Sequence, residues 1–244
     1  MVARYWWARW DLRGQPDYSQ LIVPYPNMQL TFGTADPPMV RGAYRGRVRR
    51  VLAGQGAVLG VTFRAGVFRR YLDAPVDSIT DRSVPAGLIF GPALPSPDVA
   101  ALLGDMSAMV GSLPDVRALV GGLEAHLLAG LPAADPVGDE VAAWVAEIAA
   151  SPDVRRVDQA AARFGVGERR LQRLFAEHVG VGPKWVIRRF RLHEVTERMA
   201  ARVRTEPIVW AALAADLGYA DQAHLVRDFT TMFGEPPTTY AARY

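Results

Sequence analysis

Two stretches of this chain display the same kinds of polar side chain at the same spacing. In Glu168–His178, Arg169, Arg170, Gln172 and Arg173 fall opposite Leu171 and Phe175. In Gln222–Phe233, Gln222, His224 and Arg227 fall opposite Leu225 and Phe229. Apolar residues at i and i+4 mark a helix with one buried side, so the polar groups share the outer side. Guanidinium, amide and imidazole donors on such a face have the chemistry of nucleic-acid contact. A single arginine-bearing helix is ordinarily only a solvated surface, so the weight here lies in the duplication.

The duplication extends beyond these faces. Leu171, Arg173, Phe175, Gly180 and Pro183 recur 54 residues later as Leu225, Arg227, Phe229, Gly234 and Pro237. Ala161 and Gly165 recur 53 residues later as Ala214 and Gly218, so one residue is inserted in the second turn. Each copy reads as a short helix, a glycine turn and a second amphipathic helix, over about 157–178 and 209–233. Ala161 permits a close helix crossing, Gly165 a tight turn, and Asp221 is a good N-cap for the second copy's outer helix. Two apolar and two polar faces duplicated together point to a DNA-binding pair of helix-turn-helix units.

Composition narrows the alternatives. The 244 residues are 50% hydrophobic and 22% charged, as in a globular protein, and no run of apolar residues suits a membrane span. The N-terminus places Arg4 and Arg9 among tryptophans and has no secretory pattern, so the expected location is the cytoplasm. There is no cysteine, which excludes disulfides, thiolate metal sites and a cysteine nucleophile. A DNA-repair alkyltransferase would need that cysteine. A metal oxygenase in the N-terminal half would need histidines, and none precedes His126. No catalytic residue, metal site or cofactor is expected, and the chain is not read as an enzyme. The net charge of +3 alone would not establish a nucleic-acid partner.

The elements that position these groups fall into two textures. Apolar and polar residues alternate in Arg4–Leu12, Ser19–Val23, Met28–Thr34, Ala43–Val51 and Val58–Phe63, punctuated by turn residues, with a short helix at Val67–Leu72. Beyond Pro92–Pro97 the chain reads as helix: Val99–Val110 capped by Asp98, Val116–Ala129 capped by Asp115, and Glu140–Ala150 capped by Asp139 after the linker Leu131–Pro136. The predicted fold is α+β. It comprises a small antiparallel, half-barrel-like β domain over 1–97, a helical connector over 98–136 and an all-α domain with the two units over 137–244.

Residues 157–244 resemble the DNA-binding domain of AraC/XylS-type transcription regulators. The resemblance is carried by Gly218-Tyr219-Ala220-Asp221-Gln222-Ala223-His224-Leu225-Val226-Arg227-Asp228-Phe229 and by the tail Phe233-Gly234-Glu235-Pro236-Pro237-Thr238-Thr239-Tyr240. With the helix Glu140–Ala150 it covers about 100 residues. Gly167 departs from it, standing where the family usually has a capping serine. The resemblance implies two helix-turn-helix units joined by a long helix, here Pro183–Arg202. Their outer helices would enter successive major-groove segments of double-stranded DNA about one turn (~34 Å) apart. It further implies that Arg169, Gln172 and Arg173, and Gln222, His224 and Arg227, read base edges. Lys184 and Arg188 would contact phosphates.

In the N-terminal half, Trp10–Gln15 and Gly60–Gly66 resemble a poorly characterised sensor-like domain found ahead of such DNA-binding domains. Trp6, Trp7, Trp10, Tyr25, Phe32 and Phe63 either line a pocket for a small-molecule effector or form the core of the β domain. Adjacent on one strand, Trp6 and Trp7 must face opposite ways. Leu102, Leu103, Met106, Met109 and Val110 either pair two copies into a homodimer or pack internally. The expected partners are thus promoter DNA, an effector, a second copy and the transcription machinery. A protein that binds DNA architecturally, through the backbone alone, is the competing reading.

Overall fold

The computed structural model describes residues 1–103, 116–201 and 208–242. Strict alternation along β1 (Val2–Asp11) sends Tyr5 and Trp7 to one side and Trp6 and Trp10 to the other. The same division runs through β3 (Gln29–Gly33), β4 (Met39–Arg41), β6 (Gln55–Phe63) and β7 (Ser83–Pro85), which join β1 in an antiparallel sheet of order β1-β6-β3-β4-β7. Leu30, Phe32, Val40, Leu59, Val61 and Phe63 make its inner face, all at 1% exposure or less. The remaining strands, β2 (Tyr18–Ile22) and β5 (Val48–Leu52), pair only with each other and form a separate two-stranded ribbon.

Two sequence expectations change here. The run Ala43–Val51 is not one strand: Ala43 is buried in the core, Arg45–Arg47 form an exposed loop, and only Val48 onward joins the ribbon. The short helix at Val67–Leu72 is a 3₁₀ turn, Phe68–Tyr71. A second 3₁₀ turn, Val76–Ile79, and the one-turn helix α1 (Gly87–Phe90) follow it.

Of the connector, Val99–Leu103 is a 3₁₀ helix with Leu102 buried and Leu103 half-buried against the core. Met106, Met109, Val110 and the cap Asp115 lie outside the described residues. In α2 (Val116–Ala129), Val120, Leu123 and Leu127 are buried in that same core. α3 spans Pro136–Ala150, starting four residues before the expected Glu140. Asp135 rather than Asp139 caps it, accepting the Gly138 N–H at 2.9 Å, and Pro136 occupies the first turn, where its missing N–H costs nothing.

The duplicated units follow as α4 (Val157–Arg163), α5 (Glu168–His178), the joining helix α6 (Pro183–Ala201), α7 (Trp210–Asp216), α8 (Gln222–Phe233) and α9 (Pro237–Ala241). Arg202, the expected end of α6, lies outside the described residues. Among the described residues no helix is long and apolar enough to cross a membrane.

The two units are buried differently. Leu171, Phe175, Val186 and Ile187 belong to one continuous apolar cluster with the inner face of the sheet. From Leu192 onward α6 packs instead with Leu213, Leu225, Phe229 and Phe233, a separate cluster. The coil before α3 therefore separates elements without separating cores, and the change of packing partner falls inside α6.

Candidate functional site

α5 and α8 are built alike. α5 buries Leu171, Leu174, Phe175 and His178, and α8 buries Leu225, Phe229, Met232 and Phe233. The turn glycines adopt matching left-handed conformations, Gly165 at φ 66° and Gly218 at φ 70°, and the glycines ending both helices sit at φ 84°. The helices differ at their starts. Gly167 gives α5 no side-chain cap, whereas Asp221 Oδ1 accepts the His224 N–H at 2.6 Å.

Arg169, Gln172 and Arg173 are exposed on α5, Gln222 and Arg227 on α8, and Lys184 on the first turn of α6. None has a side-chain hydrogen bond or ion pair among the described residues. That leaves donors free to meet an external acceptor without first breaking an internal contact.

Two further candidates are engaged. Arg188 Nε lies 3.2 Å from Asp228 Oδ2, and its terminal nitrogen donates to the Asp228 carbonyl. His224 is half-buried, edge-on to Tyr219, with Nε2 3.8 Å from the same carboxylate. Asp228 thus gathers Arg188 from α6 and His224 from α8 and fixes one helix against the other. The sequence reading missed Asp228 because its partner is 40 residues away.

It also missed the arginines that hold the two units together. Arg155, just before α4, donates to the Asp216 carbonyl at the end of α7 at 2.8 Å. Arg191 donates to the Arg155 carbonyl at 2.6 Å and lies 5.0 Å from the Tyr219 ring centre. Arg198 pairs with both Glu194 and Asp216.

A second site lies between the outer face of the sheet and the ribbon, a cavity of about 540 Å³. Of the six aromatic residues expected to line a pocket, Trp6, Trp10 and Tyr25 do so. Trp7, Phe32 and Phe63 face the core instead: Phe32 and Phe63 are 1% and 0% exposed, and Trp7 packs against the same cluster. The strand period decides this. The cavity receives Arg4, Trp6 and Trp10 from β1, leaving Tyr5 and Trp7 inside.

The loops beside this cavity reach the helical region. Pro24 accepts a hydrogen bond from Arg189 Nε on α6, and the Tyr25 hydroxyl lies 2.9 Å from His193 Nδ1. The Arg45 carbonyl accepts from Trp185 Nε1 at 2.9 Å. Arg47 lies against Gly234 so closely that a Cβ there would stand 2.5 Å from its guanidinium. Elsewhere Thr80 Oγ1 donates to the Gly180 carbonyl at 2.6 Å, fastening the end of α5 to the sheet domain.

Residues 160–243 match the family model of a helix-turn-helix domain, and residues 1–85 that of a domain of unknown function, DUF6597. No curated protein matches the chain. Among solved structures, a Chromobacterium violaceum transcriptional regulator with an AraC-type DNA-binding domain is 21% identical over 43% of this chain and 91% of its own, with a TM-score of 0.38. The DNA-binding domain of AdpA, a global transcriptional factor solved with a target DNA, is 22% identical over 46% and 94%, with a TM-score of 0.36. ToxT from Vibrio cholerae is 11% identical over 98% and 97%, with a TM-score of 0.48. These structural likenesses are too distant to bear on function, which rests on the family matches and the duplicated units. The chain thus carries a DUF6597 domain over residues 1–85 and a helix-turn-helix domain over residues 160–243.

Proposed function

We propose that Arg169, Gln172 and Arg173 read base edges in one major-groove segment of a promoter and that Gln222 and Arg227 do so in the next. Arginine suits guanine O6 and N7, and glutamine suits adenine. Lys184 neutralises a phosphate, while Arg188 and His224, both held by Asp228, place α8. The observation that carries this reading is the set of exposed donors on two matching helices, without internal partners among the described residues of an otherwise heavily paired helical region. An effector in the cavity controls the arrangement, because the ribbon over it leads, at the end where Ile22 pairs with Val48, into two loops that touch α6 and the end of α8.

Selection from a randomised site library tests the base contacts. Arg173→Ala and Arg227→Ala are each expected to cost ~1–3 kcal/mol on the preferred site and to relax preference at one base position, in different halves of the site. A uniform loss across all sequences would mean that these arginines only neutralise backbone charge, and the architectural reading would replace this one.

A further inference from the structure

The cavity between sheet and ribbon carries a chemistry of its own. On β1 and β6, Trp6 pairs across to Gly60 and Trp10 to Gly56. A Cβ on Gly60 would come within 2.1 Å of the Trp6 ring, and one on Gly56 within 2.3 Å of the Trp10 ring. Each indole therefore lies across its glycine. Glycine inside a strand ordinarily weakens it, and here two are placed where indoles occupy the vacated space. The result is an aromatic floor on the outer face of the sheet, where an antiparallel strand ordinarily turns polar residues to water.

Around this floor stand four arginines and one aspartate: Arg4, Arg41, Arg49, Arg50 and Asp36. Arg50 uses the carboxylate, at 2.8 Å from Asp36. Among the described residues Arg41 is held by neutral oxygens, with Nε donating to Thr31 Oγ1 at 3.1 Å and a terminal nitrogen to Ser83 Oγ at 3.3 Å. Arg4 has no partner among the described residues. Burial first, and the neighbouring Arg41 second, disfavour the charge on Arg50 and lower its pKa. The cavity thus holds more positive charge than its own side chains balance.

We propose that this cavity binds a planar organic carboxylate, its flat body lying on Trp6 and Trp10 and its carboxylate taken by Arg41 and Arg4. Arginine's fork matches a carboxylate with two parallel hydrogen bonds, and the Thr31 and Ser83 contacts hold the Arg41 fork in place. The volume falls within the ~300–1,000 Å³ of small-molecule sites. Tyr25 stands in the same wall and bonds to His193 of α6, which gives the occupant a route to the DNA-binding helices. The assignment rests on reading the cavity as the effector site, and it names the class of effector.

Calorimetric titration of the full chain with 2-naphthoate, its neutral isostere 2-naphthamide and the non-planar anion heptanoate separates the two parts of the proposal. The naphthoate is expected to bind saturably and at least about tenfold more tightly than either comparator, a difference of ~1.4 kcal/mol. Arg41→Gln should erase the preference for acid over amide, and Trp6→Leu should erase the preference for naphthoate over heptanoate. Equal binding of acid and amide, or no saturable binding of naphthoate, would overturn the assignment, and the wild-type comparison needs no variant to fold. DNA affinity is measured on the same protein with and without naphthoate. Tight naphthoate binding that leaves DNA affinity unchanged would uphold the site and overturn effector control. Intact DNA binding with no naphthoate binding would do the reverse for the ligand class and leave the DNA-contact reading standing.

Discussion

The guanidinium of Arg189 sits 4.0 Å from the centre of the Tyr25 ring, with the arginine only 1% exposed. A buried cation is costly unless something replaces water around it. Here the replacements are the ring face and the Pro24 carbonyl, both from the loop beside the cavity. One wall of the N-terminal domain is thus a ligand for the helix that joins the two DNA-binding units.

Graded substitutions at Tyr25 separate ring from hydroxyl. Tyr25→Phe keeps the face over Arg189 and loses the hydroxyl's contacts with His193 and Arg189, an expected cost of ~0.5–1.5 kcal/mol. Tyr25→Leu also removes the cation–π contact and should cost up to ~2 kcal/mol more. Urea midpoints at unchanged slope give the comparison. Equal costs for the two variants would show that the ring does not help hold Arg189.

His193 gives this junction a pH dependence. Burial is the main cause and the adjacent Arg189 the second, and together they lower its pKa against the opposing pull of Glu197 and Glu194. The unfolded chain, with an imidazole near pH ~6.5, then takes up the proton before the folded chain does. His193 therefore contributes its full stability above about pH 6.5. That contribution is lost as the pH falls toward the folded-state value. Thermal midpoints from pH 8 to pH 5 should drop more for the wild type than for His193→Gln, and parallel profiles would remove His193 from the account.

The repeat was legible in the sequence because its information is local. Leucine, phenylalanine and glycine recur at spacings set by one helix-turn-helix, and the structure places Gly165 and Gly218 in matching turns. The sheet was less legible where strands are short. β4 and β7 have three residues each, and Pro37–Pro38 before β4 read as a turn. Alternation gave Trp6 and Trp7 opposite faces but could not say which face was roofed. That depends on the β2–β5 ribbon, whose pairing joins residues about 30 apart. Arg155, Arg189, Arg191 and Asp228 were invisible for the same reason, since each acts on a residue at least 36 positions away.

The twin turn glycines are an internal control for one such contact. A Cβ on Gly165 would meet nothing within 4 Å, whereas one on Gly218 would stand 2.3 Å from the Arg155 side chain. Gly165→Ala should cost the left-handed backbone penalty alone, ~1–2 kcal/mol. Gly218→Ala should cost that and also displace Arg155 from the Asp216 carbonyl, adding ~0.5–1.5 kcal/mol. In an Arg155→Ala background the excess should vanish, and a double-mutant cycle with no coupling energy would deny Arg155 this role.

Lys184 and Arg188 are one turn apart on α6, and the family resemblance assigns both the same task. The structure divides them. Lys184 is exposed with no partner among the described residues, while Arg188 spends its donors on the carboxylate and carbonyl of Asp228. A lysine that neutralises one phosphate releases about one counterion, so Lys184→Ala should weaken binding to every DNA sequence alike and lower the slope of log K against log salt by ~0.9. Its melting temperature should not change, because no internal contact is lost. Arg188→Ala leaves Asp228 half-buried without its main partner, at an expected stability cost of ~1–3 kcal/mol. Its salt slope should stay near that of the wild type, and any affinity loss should be greater at the half-site read by α8. Salt titrations and melting curves on the same two variants distinguish these outcomes. If Arg188→Ala lowers the slope as Lys184→Ala does and leaves stability intact, Arg188 abandons Asp228 for phosphate when DNA binds, and it is then a DNA contact after all.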